Sequence, residues 1–154
     1  MTTLIKSATI IDPSSPYHNQ KKDILITNGI IDKIEDSIKN KDNYQLVSLA
    51  NLHVSCGWFD TSVSFGEPGF EERETISNGL NVAAKSGFTS VAVNANSNPV
   101  IDSKSAVEFL INNAKGFATS LYPIAALTQG SKGLEMAELY DMQQSGAIAF
   151  SDYN

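Results

Sequence analysis

Thr61-Ser62-Val63-Ser64 sets two hydroxyls two residues apart. In an extended backbone that spacing aims both to one side. A serine becomes a nucleophile only with a base beside it, and no histidine or lysine adjoins this pair. Three other polar runs follow apolar segments: Asn94-Ala95-Asn96-Ser97-Asn98, Thr128-Gln129 and Ser151-Asp152-Tyr153-Asn154. They are rich in hydrogen-bonding groups and poor in catalysts. Asn96 is the candidate ligand contact, against the alternative that it satisfies turn backbone. Asp152 is the candidate lone carboxylate. The only histidines, His18 and His53, and the only cysteine, Cys56, lie in an earlier part of the chain. His53 and Cys56 are three apart, which on a strand sends them to opposite faces and not to one metal.

The elements that must position these runs repeat. Apolar strands begin near residues 58, 88, 120 and 147, a period of roughly 30 residues that fits a βα unit with a right-handed crossover. Helical spacing is predicted over Thr75–Lys85, after a cap at Asp102 or Ser103, and over Leu134–Gln144. Gly87, Gly116 and Gly146 follow these helices, as glycine does at a left-handed helix end. The polar runs therefore fall at the carboxyl ends of parallel strands, where such folds carry their sites. No Gly-rich phosphate fingerprint follows any strand, which favours a (β/α)8 barrel over a dinucleotide-binding sheet. Val91, Val93 and Ile124 are expected on the barrel's inner face.

Before residue 55 the pattern differs. Leu4–Ile11, Asp23–Thr27, Ile30–Ile34 and Leu46–Val54 read as strands of a small antiparallel sheet, with a hairpin at Asn28-Gly29 and a polar loop over 39–43. The pattern divides the chain into a β-rich part, residues 1–55, and a βα part, residues 56–154; a doubly wound open sheet and a (β/α)8 barrel both use such a repeat, and in a barrel this chain would hold only strands one to four. A whole barrel needs about 250 residues.

Composition bounds the function. Of 154 residues, 42% are hydrophobic and 18% charged, which excludes a disordered chain. The net charge of −6 leaves no basic patch for nucleic acid or an anionic membrane. One cysteine excludes a disulfide scaffold, no apolar run approaches the roughly 18 residues of a membrane span and no leader segment is visible, so a cytoplasmic protein is expected.

Several stretches resemble the dihydroorotase family, the bacterial-type cyclic amidohydrolases of pyrimidine biosynthesis. They are Gly57-Trp58-Phe59-Asp60, Phe65, Glu67-Pro68-Gly69-Phe70-Glu71, Gly87-Phe88-Thr89, Asn96-Ser97-Asn98-Pro99 and Gly146-Ala147-Ile148-Ala149-Phe150-Ser151-Asp152. The resemblance implies that residues 1–55 are the N-terminal part of a small β-sandwich, that residues 56–154 are the N-terminal half of a TIM-type (β/α)8 barrel cut off after strand 4, and that the family's chemistry is ring-amide hydrolysis by a zinc-bound hydroxide. The family signature on its first barrel strand is Asp-x-His-x-His-Phe-Arg-Glu-Pro-Gly. Here Ser62 and Ser64 stand at the two ligand histidines, and Gly66 stands at the arginine that holds the substrate carboxylate. At the fourth strand Tyr153 takes the place of a metal-bridging aspartate. Of the family's substrate contacts, Asn96 is kept.

The expectation is a catalytically deficient homologue with no catalytic residue, no zinc and a structural or regulatory role. Its implied partners are an aspartate transcarbamoylase-type enzyme, its own C-terminal half, or further copies of itself. The alternative is an active cyclic amidohydrolase whose metal site is rebuilt from residues beyond Asn154 or from non-standard ligands; a zinc held tightly by this chain would point to His18, His53 or Cys56.

Overall fold

The computed structural model describes residues 1–41 and 43–153. The chain divides into two compact units, Met1–Cys56 and Gly57–Asn154. The first is a sheet of β1 (Thr2–Ile11), β2 (Lys21–Thr27), β3 (Ile30–Glu35), β4 (Gln45–Val47) and β5 (His53–Ser55). β3, β2 and β1 form an antiparallel meander. Asn28 and Gly29, at φ 51° and 81°, make the tight turn between β2 and β3, because a primed hairpin turn needs two left-handed residues. The sheet is mixed and not antiparallel as expected: β4 and β5 both run parallel to β1, with Leu4 beside Leu46 and Ile10 beside Val54. The run read as one strand over Leu46–Val54 is two short ones, broken by a turn in which Asn51 takes φ 55°. Of the expected 39–43 loop, Asp42 lies outside the described residues.

The second unit alternates strands and helices: β6 (Trp58–Val63), α1 (Ile76–Lys85), β7 (Phe88–Val93), α2 (Lys104–Asn113), β8 (Ser120–Ala125), α3 (Leu139–Gln144) and β9 (Ala149–Phe150). The four strands pair in chain order, all parallel, as a curled half-barrel. Ile76, Leu80, Val107, Leu110 and Met142 of the helices pack on Val91, Val93 and Leu121 of the sheet. Val91 and Val93 thus face the helices. Their opposite-pointing neighbour Ala92 is the one turned to the inner face, between Phe59 and Tyr122, whose rings meet edge to face at 5.9 Å. Among the described residues no helix is long and apolar enough to cross a membrane.

Two helix expectations change. α3 begins at Leu139, because Gly133 at φ 69° turns the preceding chain back toward β8. There Ala137 N–H donates to Leu127 O at 3.0 Å and Gln129 N–H to Glu135 O at 2.8 Å, so an extended arm replaces the first turns of the helix. At α2 the N-cap is Ser103, whose side chain makes no capping bond; Asp102 instead accepts from Gly130 N–H at 2.8 Å.

One buried charge organises the first unit. A register break between Ile5 and Ala8 puts Ser7 at φ 53° and turns its N–H onto Asp23 Oδ1 at 2.8 Å. Ile38 N–H donates to Oδ2 at 2.8 Å, and the Lys6 ammonium pairs with the same oxygen. Asp23 is only 1% exposed. Burial pushes its carboxyl up, but the hydrogen bonds from Lys6, Ile38 and Ser7 outweigh it and hold the group below its ordinary value of 3.8. Asp23→Ala removes the shared acceptor of three donors and should cost about 3 kcal/mol in urea denaturation at neutral pH. A carboxyl lowered on folding stabilises fully above its unfolded value and loses that contribution as pH falls through its folded value. The gap between wild type and Asp23→Ala should therefore hold down to about pH 5 and close below about pH 4.

Candidate functional site

The carboxyl ends of β6 and β7 bring together Ser62, Ser64 and Asn94. Ser62 and Ser64 are exposed, while Asn94, the first residue past β7, is buried. Asn94 N–H donates to Val63 O at 2.9 Å, continuing the β6–β7 ladder by one bond. Its side-chain Nδ2 donates to Ser62 Oγ at 3.1 Å and to Ser64 Oγ at 3.3 Å. One amide nitrogen thus ties both hydroxyls. Among the described residues neither hydroxyl donates to another protein group. Asn94 went unselected in the sequence, where Asn96 was the candidate. The signal that could have found it is its place as the first polar residue after an apolar strand. Asn96 is half-buried, and its Oδ1 is enclosed with no hydrogen-bond partner among the described residues.

The loop from Gly66 to Glu74 folds back on itself. Gly66 N–H donates to Glu74 O, and Phe70 N–H donates to Gly66 O, each at 2.8 Å. A Cβ on Gly66 would lie 1.9 Å from the Phe70 carbonyl oxygen, so backbone fills the space a side chain would need. Glu67 does not reach the strand-end cluster by hydrogen bond. Its Oε2 accepts Ile76 N–H at 2.9 Å, while Thr75 Oγ1 accepts Asn78 N–H at 3.2 Å, so both cap α1. Asn98 N–H donates to Pro68 O at 2.9 Å, joining this loop to the one after β7.

Asp152, past β9, accepts Thr128 N–H at 2.9 Å on Oδ1 and the Thr128 hydroxyl at 2.7 Å on Oδ2. These bonds hold its carboxyl below the usual range, so it is ionised and engaged. Tyr153 follows it and is exposed, and Asn154 lies outside the described residues. In the first unit, His18 Nδ1 accepts Asp12 N–H at 3.1 Å, His53 Nδ1 donates to Asn51 O at 2.7 Å, and the Cys56 thiol faces Asp12 Oδ2 at 3.6 Å. Among the described residues no three His, Cys, Asp or Glu side chains converge as a metal site would require.

The profile of the dihydro-orotase-like family matches residues 52–154. Over 152 residues the chain is 40% identical to the dihydroorotase of Pelotomaculum thermopropionicum, covering 99% of this chain and 35% of that protein. It is 36% identical over 153 residues to the dihydroorotase of Citrifermentans bemidjiense, again 99% of this chain and 36% of the other. The chain thus spans about a third of the length of these relatives. Among solved structures, the L-hydantoinase (dihydropyrimidinase) of Arthrobacter aurescens superposes with a TM-score of 0.77 at 16% identity, over 97% of this chain and 32% of that one. A dihydroorotase structure superposes with a TM-score of 0.62 at 11% identity, over 97% and 41%. These two likenesses concern the fold alone.

Chemically, the strand ends offer two neutral hydroxyls, two amides and a carboxylate committed to Thr128. They can hydrogen-bond a ligand. The carboxylates Glu67 and Asp152 each accept a backbone N–H, of Ile76 and of Thr128. The closed loop gives a direct test. Gly66→Ala should destabilise the chain by about 3 kcal/mol or more in urea denaturation, because the added methyl meets backbone and no flexible side-chain end. A loss under about 1 kcal/mol would mean that the loop opens freely.

Proposed function

The chain belongs to the dihydro-orotase-like family, and from that membership we propose that its parent protein is a catalytically deficient member with a structural or regulatory role. The observation that carries this reading is the donor set at the strand ends. The resemblance puts ligand histidines where Ser62 and Ser64 stand. A neutral serine hydroxyl is a poor zinc ligand beside imidazole or carboxylate. Both hydroxyls also accept a hydrogen bond from Asn94. This set does not fit zinc, and no step of a reaction is drawn through the metal. Gly66 adds support: the resemblance puts an arginine there, and here the space holds the Phe70 carbonyl.

In this proposal the half-barrel of Gly57–Asn154 is the first half of a (β/α)8 barrel, and Met1–Cys56 is part of a β-sandwich. The partner is an aspartate transcarbamoylase-type enzyme, as the resemblance implies. The face of the half-barrel turned from the helices exposes Phe59 and Tyr122, 49% and 38% accessible, so the chain alone also associates with further copies.

Two measurements test the reading. Dialysed parent protein should hold far less than one zinc per chain by elemental analysis and should not turn over dihydroorotate. Chelator-sensitive turnover would establish an active amidohydrolase with a rebuilt metal site instead. In light scattering at tens of micromolar, the 154-residue chain should run larger than a monomer. A monodisperse monomer with a cooperative thermal transition would refute the association.

A further inference from the structure

We infer that the side-chain amide of Asn94 is a built-in occupant of the point between residues 62 and 64, standing where a bound cation would otherwise draw two ligands together. The inference rests on the proposed loss of the metal site and goes beyond it: it names the group that keeps the position closed.

A cation between two side chains gathers a lone pair from each. A primary amide does the same with its two N–H bonds, which diverge from one nitrogen and carry partial positive charge. Asn94 Nδ2 makes this pattern, with Ser62 Oγ at 3.1 Å and Ser64 Oγ at 3.3 Å. The amide is fixed in place. Asn94 is buried, and its backbone N–H is bonded to Val63 O, between the two serines in sequence, at 2.9 Å. A cation arriving at this point would meet the positive ends of two N–H dipoles. To enter, it would have to expel the amide from a buried position and leave both N–H groups without partners. Restoring metal-binding side chains at 62 and 64 is therefore not sufficient while Asn94 stays.

The test is a zinc titration, by competition with a chromophoric chelator, of three chains: wild type, Ser62→His/Ser64→His, and Ser62→His/Ser64→His/Asn94→Ala. Wild type should bind no zinc at this point, and the triple variant should bind at least tenfold more tightly than the double. Equal affinity of the double and triple variants would overturn the role given to Asn94. Stoichiometric zinc on the wild-type chain would instead sink the reading of a lost metal site, so the two failures are distinct. Circular dichroism checks that each variant folds. Where the histidines disturb the fold, Ser62→Cys/Ser64→Cys, with and without Asn94→Ala and kept reduced, makes the same comparison with side chains close to serine in size. The same tenfold gap is expected, and its absence again overturns the assignment.

Discussion

Beyond the carboxyl ends of the parallel strands the ladder no longer pairs the chain, and side chains tie the connecting segments together instead. Asp102 takes Gly130 N–H, Asp152 takes Thr128 N–H, Glu67 takes the first amide of α1, and Asn94 ties the end of β6 to the end of β7. A buried or half-buried amide left without a partner costs more than a hydrogen bond gains, so these bonds are obligations of the fold. They also decide what chemistry the rim can do. At Asp152 the bonds from the Thr128 N–H and hydroxyl hold the carboxyl below its ordinary range. Asp152 and Asn94, two of the polar residues at the strand ends, each join segments distant in the chain.

What was legible in the sequence is what neighbouring residues determine. The strand expected near residue 88 begins at Phe88, because an apolar run bracketed by a helix-ending glycine and polar residues leaves little choice. Gly87 and Gly146 take φ 89° and 109° just past their helix caps, where only glycine is unstrained. The parallel order of β6 to β9 follows from the repeat of helix and strand. What failed depends on distant partners. β4 and β5 run parallel to β1 because of the path their connections take, which composition does not encode. The start of α3 gave way to pairing between the 135–137 arm and the 127–129 segment after β8, a tertiary bond that outweighs helical spacing at Met136. Val91 and Val93 were assigned to the wrong face because a strand buried on both sides shows no alternation.

The candidate site divides in the same way. The letters at Ser62, Ser64, Gly66 and Tyr153 carried the departure from the family pattern. The bond that gives two of those letters a common partner did not show, because Asn94 lies thirty residues along the chain from Ser64. Asp23 is a parallel case in the first unit. It reads as the polar end of a strand, and only the bulge at Ser7 and the approach of Ile38 make it a buried carboxylate with three donors.

The closed loop at Gly66 has a consequence for descent. A protein that has merely exchanged a side chain can return by exchanging it back. At Gly66 the Phe70 carbonyl fills the volume a side chain would need, and two backbone bonds, Gly66 to Glu74 and Phe70 to Gly66, hold it there. A chain in this state cannot take a long side chain at that position by one replacement, because the first step is a chain whose loop no longer closes. The glycine acts as a ratchet: any larger residue at this position needs several coordinated changes in the loop before one of them is useful.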